Sequence, residues 1–196
     1  MSFIIQKNLG CFGDGGAVAT NHKDLAANIR KLRNHGSTKR SFHSIGYNSR
    51  LDDIHAAVLR VKLRHLDEWS ERRREIAKLY DEGLADTPMT LPFTPPGYEH
   101  VYHLYVVESD DRDGLQSYLN SKAITALTHY PIAIHQQEGV PWGHAARFGA
   151  LPVTEKSAAS VLSLPMYPEL TDKEVNQVIE EIQNWAANRA TLKQAV

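Results

Sequence analysis

A long helical pattern in the first half of the chain is the feature that most restricts its possible folds. Apolar side chains recur at helical spacing between Ile54 and Leu79, which predicts one long helix. Ser49 and Asp52 form a capping-box-like pair, with Asp in place of Glu or Gln, so the helix is expected to begin there. The other face carries Arg60, Lys62, Arg64, Glu68, Glu71, Arg72, Arg73, Arg74 and Glu75. Acidic residues are interspersed among the basic ones on this face, which indicates a solvated surface rather than a nucleic-acid site.

A cluster of prolines after this helix marks a change of organisation. It contains Pro88, Pro92, Pro95, Pro96 and Gly97. Beyond it the pattern predicts a β-α-β order, made of a strand at Val101–Val107, a helix at Asp110–Lys122 and a short strand at Ile124–Thr128. Two more helices are predicted, one at Lys156–Leu162 and one after a capping box of Thr171 and Glu174, with a frayed tail after Ala187. The expected fold class is therefore α/β.

The first part of the chain combines a predicted strand, a glycine-rich turn and a helix. Met1–Gln6 is predicted to be a strand, and the glycines of Phe12–Thr20 suit a hairpin or a close approach of the backbone to a bound group. A helix is expected between an Asn21 N-cap and Gly36, followed by a loop over Ser37–Ser44. The glycines do not open directly onto a helix, and no Gly-Lys-Ser/Thr ending follows them, which excludes the dinucleotide-binding and P-loop motifs.

Composition excludes several classes of protein. The chain has 196 residues, 42% of them hydrophobic and 23% charged, and its formal net charge is −1. A nucleic-acid-binding protein would carry a basic excess. The single cysteine, Cys11, cannot form an internal disulfide, and no apolar run reaches the length of a membrane span. A cytoplasmic protein without nucleic-acid or membrane partners is expected.

Four stretches spread over nearly the whole chain carry a family resemblance. The first joins Ser2-Phe3 to Lys7-Asn8-Leu9-Gly10 and Gly13–Ala17, and the second joins Gly46–Asp52 to Ala56–Leu63. The third joins Val101–Tyr105 to Thr128–Pro131 and His135, and the fourth is Leu162–Thr171. In this order they resemble the DegT/StrS-type nucleotide-sugar aminotransferases, enzymes of pyridoxal phosphate (PLP) fold type I.

The resemblance implies a fold, a domain organisation and a reaction. This chain would be the C-terminal part of such an enzyme. Residues 1–50 would come from the large PLP-binding domain, 51–87 would form a long connecting helix, and 88–196 would form the small α/β domain. The parent enzyme would transfer an amino group from an amino acid, with glutamate the expected donor, to a nucleotide-linked keto-sugar. The stretches Asn34–Gly36 and Leu59–Trp69 look most like relatives that act on 3-keto sugars. The resemblance also implies a homodimer with active sites formed across the two subunits.

The resemblance assigns roles to individual residues. Lys7 would hold PLP as a Schiff base and move a proton during transamination, whereas a lysine beside a glycine turn is otherwise a surface charge. Asn48 would bind the PLP phosphate of the neighbouring subunit, or else be a polar turn residue. Arg50 would be a substrate or anion contact, or a surface charge at a helix start. His129 and Tyr130 would line the sugar pocket, or else pack at a strand end.

Two further predictions concern metal binding and loss of function. The pairs His100/His103 and His129/His135 lack a spacing that brings ligands together, so no metal site is predicted. The family's phosphate-binding loop, the aromatic residue that stacks on PLP and the aspartate that pairs with its pyridinium nitrogen are expected to lie outside this sequence. A non-catalytic remnant or oligomerising fragment is therefore the alternative to an enzyme.

Overall fold

The computed structural model describes residues 1–39, 43–139 and 149–194. The chain forms two compact units, Met1–Trp69 and Ser70–Val196, and their boundary falls within a helix. We call them the first and second units. Of the predicted Ser37–Ser44 loop, residues 40–42 lie outside the described part.

The first unit opens with a short antiparallel pairing rather than the predicted strand. Ser2 pairs with Gly16, and the Phe3 amide donates to the Gly15 carbonyl at 2.8 Å. The pairing does not continue to Gln6, because the Lys7 amide donates to the Ile4 carbonyl at 2.9 Å and turns the chain. The prediction of a strand over Met1–Gln6 is therefore wrong beyond the first few residues.

Helix α1 comprises Lys23–Leu32. Its N-cap is His22, not the predicted Asn21, and no side chain caps it. Segment 47–49 runs along the end of this helix: the Tyr47 amide donates to Leu32 at 2.7 Å, and the Ser49 amide donates to Arg33 at 2.9 Å. This backbone pairing holds Ser49 in an extended segment, so Ser49 does not cap the next helix.

The predicted long helix consists of two α-helices joined by a single 3-10 turn. Helix α2 is Asp53–Lys62, the turn is Leu63–His65, and α3 is Leu66–Leu84. Asp52 is the N-cap of α2, but its side chain accepts no capping hydrogen bond. Along α3 the buried positions include Arg73, Ala77, Tyr80 and Leu84, at alternating spacings of four and three residues. Arg73 therefore lies on the buried face, and its predicted place on the solvated face is wrong.

The second unit contains a small antiparallel sheet. Strand β1, Tyr105–Glu108, pairs with β2, Val161–Leu164, and Tyr105 stands opposite Leu164. Single bridges extend the sheet at both edges, from Thr90 to Glu108 and from Leu127 to Ser163. The predicted strand Val101–Val107 thus begins later, at Tyr105. The predicted strand at Ile124–Thr128 contributes only one bridge, on the side of β2 away from β1. Strand β2 itself was not predicted from the sequence.

In the described part of the second unit, three further helices accompany the two strands. They are α4, Arg112–Ser121; α5, Pro152–Ser160; and α6, Asp172–Gln194. Helix α5 ends before Val161 because the backbone from Val161 onward pairs with β1, so the predicted helix over Val161 and Leu162 is wrong. The capping box at the start of α6 is confirmed, with Glu174 accepting from the Thr171 amide at 2.9 Å. The helix continues beyond Ala187 to Gln194, contrary to the predicted fraying.

The apolar core belongs to the second unit. It combines the strands with one side of α3, α4 and α6. Its buried members include Ile76, Tyr80, Leu84, Tyr105, Val107, Leu115, Leu119, Leu162, Leu164, Val175, Ile179 and Ile182. No helix in the described part of the chain has both the length and the apolar character needed to cross a membrane.

Candidate functional site

Lys7 lies in a loop of the first unit whose two ends are joined. The Cys11 amide donates to the Phe3 carbonyl at 2.8 Å, and the Cys11 thiol lies 3.0 Å from the same oxygen. Within the loop, the Lys7 amide donates to Ile4 at 2.9 Å. Lys7 itself is half-buried. Its side chain therefore extends from a closed, hydrogen-bonded loop rather than from a free terminus.

The glycines near Lys7 allow the chain to pack against itself. A Cβ atom on Gly10 would collide with the carbonyl oxygens of Ile4 and Ile5. One on Gly15 would lie 3.1 Å from the Cys11 sulfur and 3.1 Å from a methyl of Leu51. Gly10 and Gly15 thus permit a close approach of the backbone to other parts of this chain.

One side of α2 and the residues before it pack on this glycine-rich run. His55 lies beside Gly13, where an added Cβ would stand 3.4 Å from the imidazole. Near the end of the helix, the Lys62 ammonium donates to the Gly10 carbonyl at 2.7 Å. Leu51 lies just before α2, while His55 and Lys62 are seven residues apart within it, which places these two on one side of the helix. Lys62 is half-buried, so its predicted role as a solvated surface charge is wrong.

Asn48 and Arg50 lie in the extended segment between α1 and α2. Asn48 forms an antiparallel bridge with Asn34, and both Asn48 and Arg50 are exposed. The neighbouring Tyr47 is also exposed. This segment is therefore fixed through its backbone and presents its side chains outward, where they are open to a partner.

His129 and Tyr130 lie in the second unit, after the Leu127 bridge. The His129 Nδ1 atom lies 2.9 Å from the Ser163 hydroxyl of β2. The two rings meet edge to face, with centroids 5.6 Å apart, and Tyr130 is 71% exposed. His129 lines a cavity of about 690 Å³ together with Ser163, Tyr167 and Glu174. It also lines a second cavity of about 380 Å³, which includes Tyr130.

A second contact fixes the loop that follows His129. The His135 Nε2 atom lies 2.9 Å from the Glu155 carboxylate of α5, and the His135 side chain is 7% exposed. The same carboxylate oxygen accepts from the Leu151 amide at 3.0 Å. These two hydrogen bonds, the one from the Leu151 amide first, lower the pKa of Glu155. The loop is thus held at His129 by the sheet and at His135 by α5.

The structure divides the predicted site residues between the two units. Lys7, Asn48 and Arg50 belong to the first, and His129 and Tyr130 to the second. Sequence reasoning missed Lys62, Ser163 and Glu155, which contact these segments. Ser163 lies within one of the four family stretches, and Lys62 shares a helical face with His55. Those were the signals available in the sequence.

Three histidines of the pairs considered above have partners other than metals. His100 Nδ1 accepts from the Tyr102 amide at 2.9 Å, while His129 and His135 contact Ser163 and Glu155. Among the residues that the structure describes, no group of three or more His, Cys, Asp or Glu side chains is arranged to hold a metal ion.

Comparison with known proteins identifies the family. The model of the DegT/DnrJ/EryC1/StrS aminotransferase family matches residues 1–183. The chain belongs to this family. The dTDP-3-amino-3,4,6-trideoxy-alpha-D-glucose transaminase of Streptomyces venezuelae is 46% identical over 187 residues, a match that covers 94% of this chain and 49% of that protein. The chain therefore spans about half the length of the curated relatives it matches.

Solved structures show the same fold. The crystal structure of S. venezuelae DesV in complex with a ketimine intermediate matches with a TM-score of 0.88 and 45% identity, covering 94% of this chain and 50% of that one. Bacillus subtilis NtdA with bound cofactor PMP matches with a TM-score of 0.84 and 30% identity, covering 94% of this chain and 44% of that one. The family and the fold class predicted from the sequence, an α/β portion of PLP fold type I, are both confirmed.

Proposed function

We propose that this chain is the C-terminal part of a PLP-dependent aminotransferase that moves an amino group from an amino acid, glutamate in our proposal, to a nucleotide-linked keto-sugar. The observation that carries the proposal is Lys7, half-buried in a closed loop of a chain from this family. The name of the S. venezuelae relative supports a sugar that receives the amino group at position 3. The free Cys11 and this substrate class suit a cytoplasmic enzyme.

The residues present fit one part of a PLP site. A primary amine on a hydrogen-bonded loop suits covalent attachment of an aldehyde cofactor, and the exposed Asn48 amide suits a phosphate oxygen. PLP, when bound, would draw electrons from the substrate carbon that loses its proton. Lys7 Nζ would hold the cofactor and, once freed from it, would carry that proton. The remaining PLP contacts would come from a part of the enzyme outside this sequence.

The other predicted residues would orient the substrate. His129 and Tyr130 can each form a hydrogen bond with a sugar hydroxyl, and the Ser163 contact fixes the ring of His129. Arg50 is exposed and can contact an anion. We propose residues 1–50 as part of the large domain, 51–87 as the connecting helical region and 88–196 as the small domain. We further propose a homodimer in which Asn48 serves the cofactor site of the partner subunit.

The role of Lys7 can be tested directly. In a longer chain, or with a co-expressed fragment that supplies the other half of the enzyme, Lys7 should carry PLP and show the yellow absorption of an imine. Borohydride reduction should then lock the cofactor onto a single peptide, and Lys7→Ala should abolish the adduct because no other amine occupies this position. Mass spectrometry that finds the cofactor on Lys39 or Lys62 would contradict the assignment.

A test of the proposed role of Asn48 requires two subunits with different substitutions. Asn48→Ala should weaken PLP retention about ten- to a hundredfold through loss of a charge-assisted hydrogen bond, while covalent attachment at Lys7 remains. A heterodimer of an Asn48→Ala subunit with a Lys7→Ala subunit should regain partial activity, because one site is intact and the other carries both changes. Proven heterodimers that show no recovery would place Asn48 in the site of its own subunit.

A further inference from the structure

A lysine on α2 contacts the loop that carries Lys7. Lys62 is the last residue of the helix, and its Nζ atom donates to the Gly10 carbonyl at 2.7 Å, across 52 residues of sequence. Gly10 lies three residues after Lys7, on the same hydrogen-bonded loop. An ammonium donor makes this hydrogen bond stronger than one between neutral groups.

The Lys62 side chain is held from a second direction as well. Its Nζ atom lies 5.9 Å from the centre of the Trp69 ring, within the range of a cation–π contact. Trp69 in turn stacks on His65, with ring centres 5.6 Å apart and planes 23° from parallel. The ammonium therefore contacts an aromatic side chain and a carbonyl acceptor, and its half-burial limits competition from water.

The Gly10 carbonyl is an effective point at which to fix this loop. Since the backbone of Gly10 packs on the carbonyls of Ile4 and Ile5, movement of Gly10 disturbs the turn that contains the Lys7 amide. The Cys11–Phe3 hydrogen bond closes the ends of the loop, and the Lys62 contact joins its backbone to α2.

We infer that Lys62 is a positioning residue for Lys7. Its ammonium ties the loop to α2 and so sets where the Lys7 amine is presented. The inference rests on the proposed role of Lys7, and it assigns Lys62 no contact with substrate or cofactor.

Hydrogen exchange tests, without any cofactor, whether the Lys62–Gly10 hydrogen bond restrains the loop. Lys62→Met keeps the unbranched stem beside Trp69 but removes the donor, so the amides of residues 7–11 should exchange about tenfold faster. Lys62→Arg retains a cationic donor and should restore slow exchange. Lys78→Met removes an exposed lysine from α3 and serves as the matched control. The amides of α1 are the internal reference. Unchanged exchange at residues 7–11, or equal acceleration throughout the first unit, would overturn the inference.

Chemical trapping tests the presentation of the amine. The chain, completed by the missing half as in the test of Lys7, is incubated with PLP at several pH values and reduced with borohydride, and the label on Lys7 is compared with that on Lys78 by peptide mass spectrometry. The preference for Lys7 should fall about threefold or more in Lys62→Met at every pH and return in Lys62→Arg. An unchanged preference despite faster exchange would also overturn the inference. A wild-type chain labelled away from Lys7 would instead overturn the proposed function, and the exchange result alone would then support the tie between Lys62 and the loop.

Discussion

At the scale of single residues, Arg73 is the buried charge with the clearest structural role. It is 6% exposed, and its Nη1 atom donates to the carbonyls of Met166 at 2.8 Å, Tyr102 at 3.0 Å and His103 at 3.4 Å. Burial lowers the pKa of its guanidinium, while the charge of Glu169 opposes this effect. The three carbonyls lie just before β1 and just after β2. One side chain of α3 thus satisfies the backbone groups at adjacent ends of both strands.

Replacement of Arg73 should therefore be costly. Arg73→Met fills a similar volume but leaves these carbonyl groups without their donor, and we expect a loss of about 3 kcal/mol or more in the free energy of unfolding. The neighbouring Arg74 pairs with Glu71 and Glu99 near the surface, so Arg74→Met should cost about 1 kcal/mol or less. Urea denaturation of both variants checks this prediction, and equal losses would show that Arg73 has no special role.

At the scale of secondary-structure elements, the start of α6 depends on a reciprocal cap. The Thr171 hydroxyl donates to Glu174 at 2.7 Å, and the Glu174 amide donates to the Thr171 hydroxyl at 3.3 Å. The hydrogen bonds from the Thr171 side chain and then from its backbone lower the pKa of Glu174. Ionised Glu174 therefore stabilises the helix, and this contribution is lost as the pH falls from the carboxyl's unfolded pKa through its lower folded pKa.

Two variants separate the cap from its charge. Thr171→Ala should cost about 1 kcal/mol of stability, as expected for loss of an N-cap hydroxyl. Glu174→Ala should also destabilise the protein at neutral pH, and its difference from wild type should shrink as the pH falls below about 4. Glu180→Ala, an exposed change on the same helix, is the control for both. A Glu174→Ala effect that persists undiminished at low pH would rule out the ionised cap as its cause.

The loop that follows His129 depends on a contact between elements. Glu155→Ala removes the acceptor for both His135 and the Leu151 amide. We expect faster hydrogen exchange at residues 132–137, because the loop would lose its attachment to α5. Lys156→Ala, at the next position of α5, is the matched control. Exchange that is the same in both variants would show that the His135–Glu155 contact does not restrain the loop.

At the scale of the whole molecule, burial is distributed very unequally. Among the described residues, the buried apolar side chains of the first unit are Cys11 and Leu59, whereas the second unit has a continuous core. The first unit exposes many large apolar side chains instead: Met1, Ile5, Phe12, Val18, Leu25, Leu32, Ile45, Tyr47, Ile54, Val61 and Leu63. An exposed apolar surface of this kind suits contact with another part of an enzyme or another subunit.

The isolated chain should accordingly self-associate and lack transaminase activity. Light scattering should detect dimers or larger species, and added PLP should raise the melting temperature little, because a ligand stabilises only in proportion to its binding to the folded state. Amide exchange should be slower in the core of the second unit than in the first. A monomer that binds PLP tightly and aminates a nucleotide-linked keto-sugar would contradict this expectation.

Sequence by itself was enough to identify the family, the fold class, most of the helices and the capping box of Thr171 and Glu174. These features depend on residues close in sequence or on ordered motifs, which a single chain displays directly. Tertiary structure alone decided that Arg73 and Lys62 leave the solvated face, that β2 lies between β1 and the Leu127 bridge, and that Ser163 and Glu155 hold the His129 loop. The physical reason is that each of these outcomes depends on a carbonyl, hydroxyl, imidazole or strand edge brought close by folding. The Lys62–Gly10 hydrogen bond, for example, joins residues 52 positions apart, and helical spacing carries no information about such a partner.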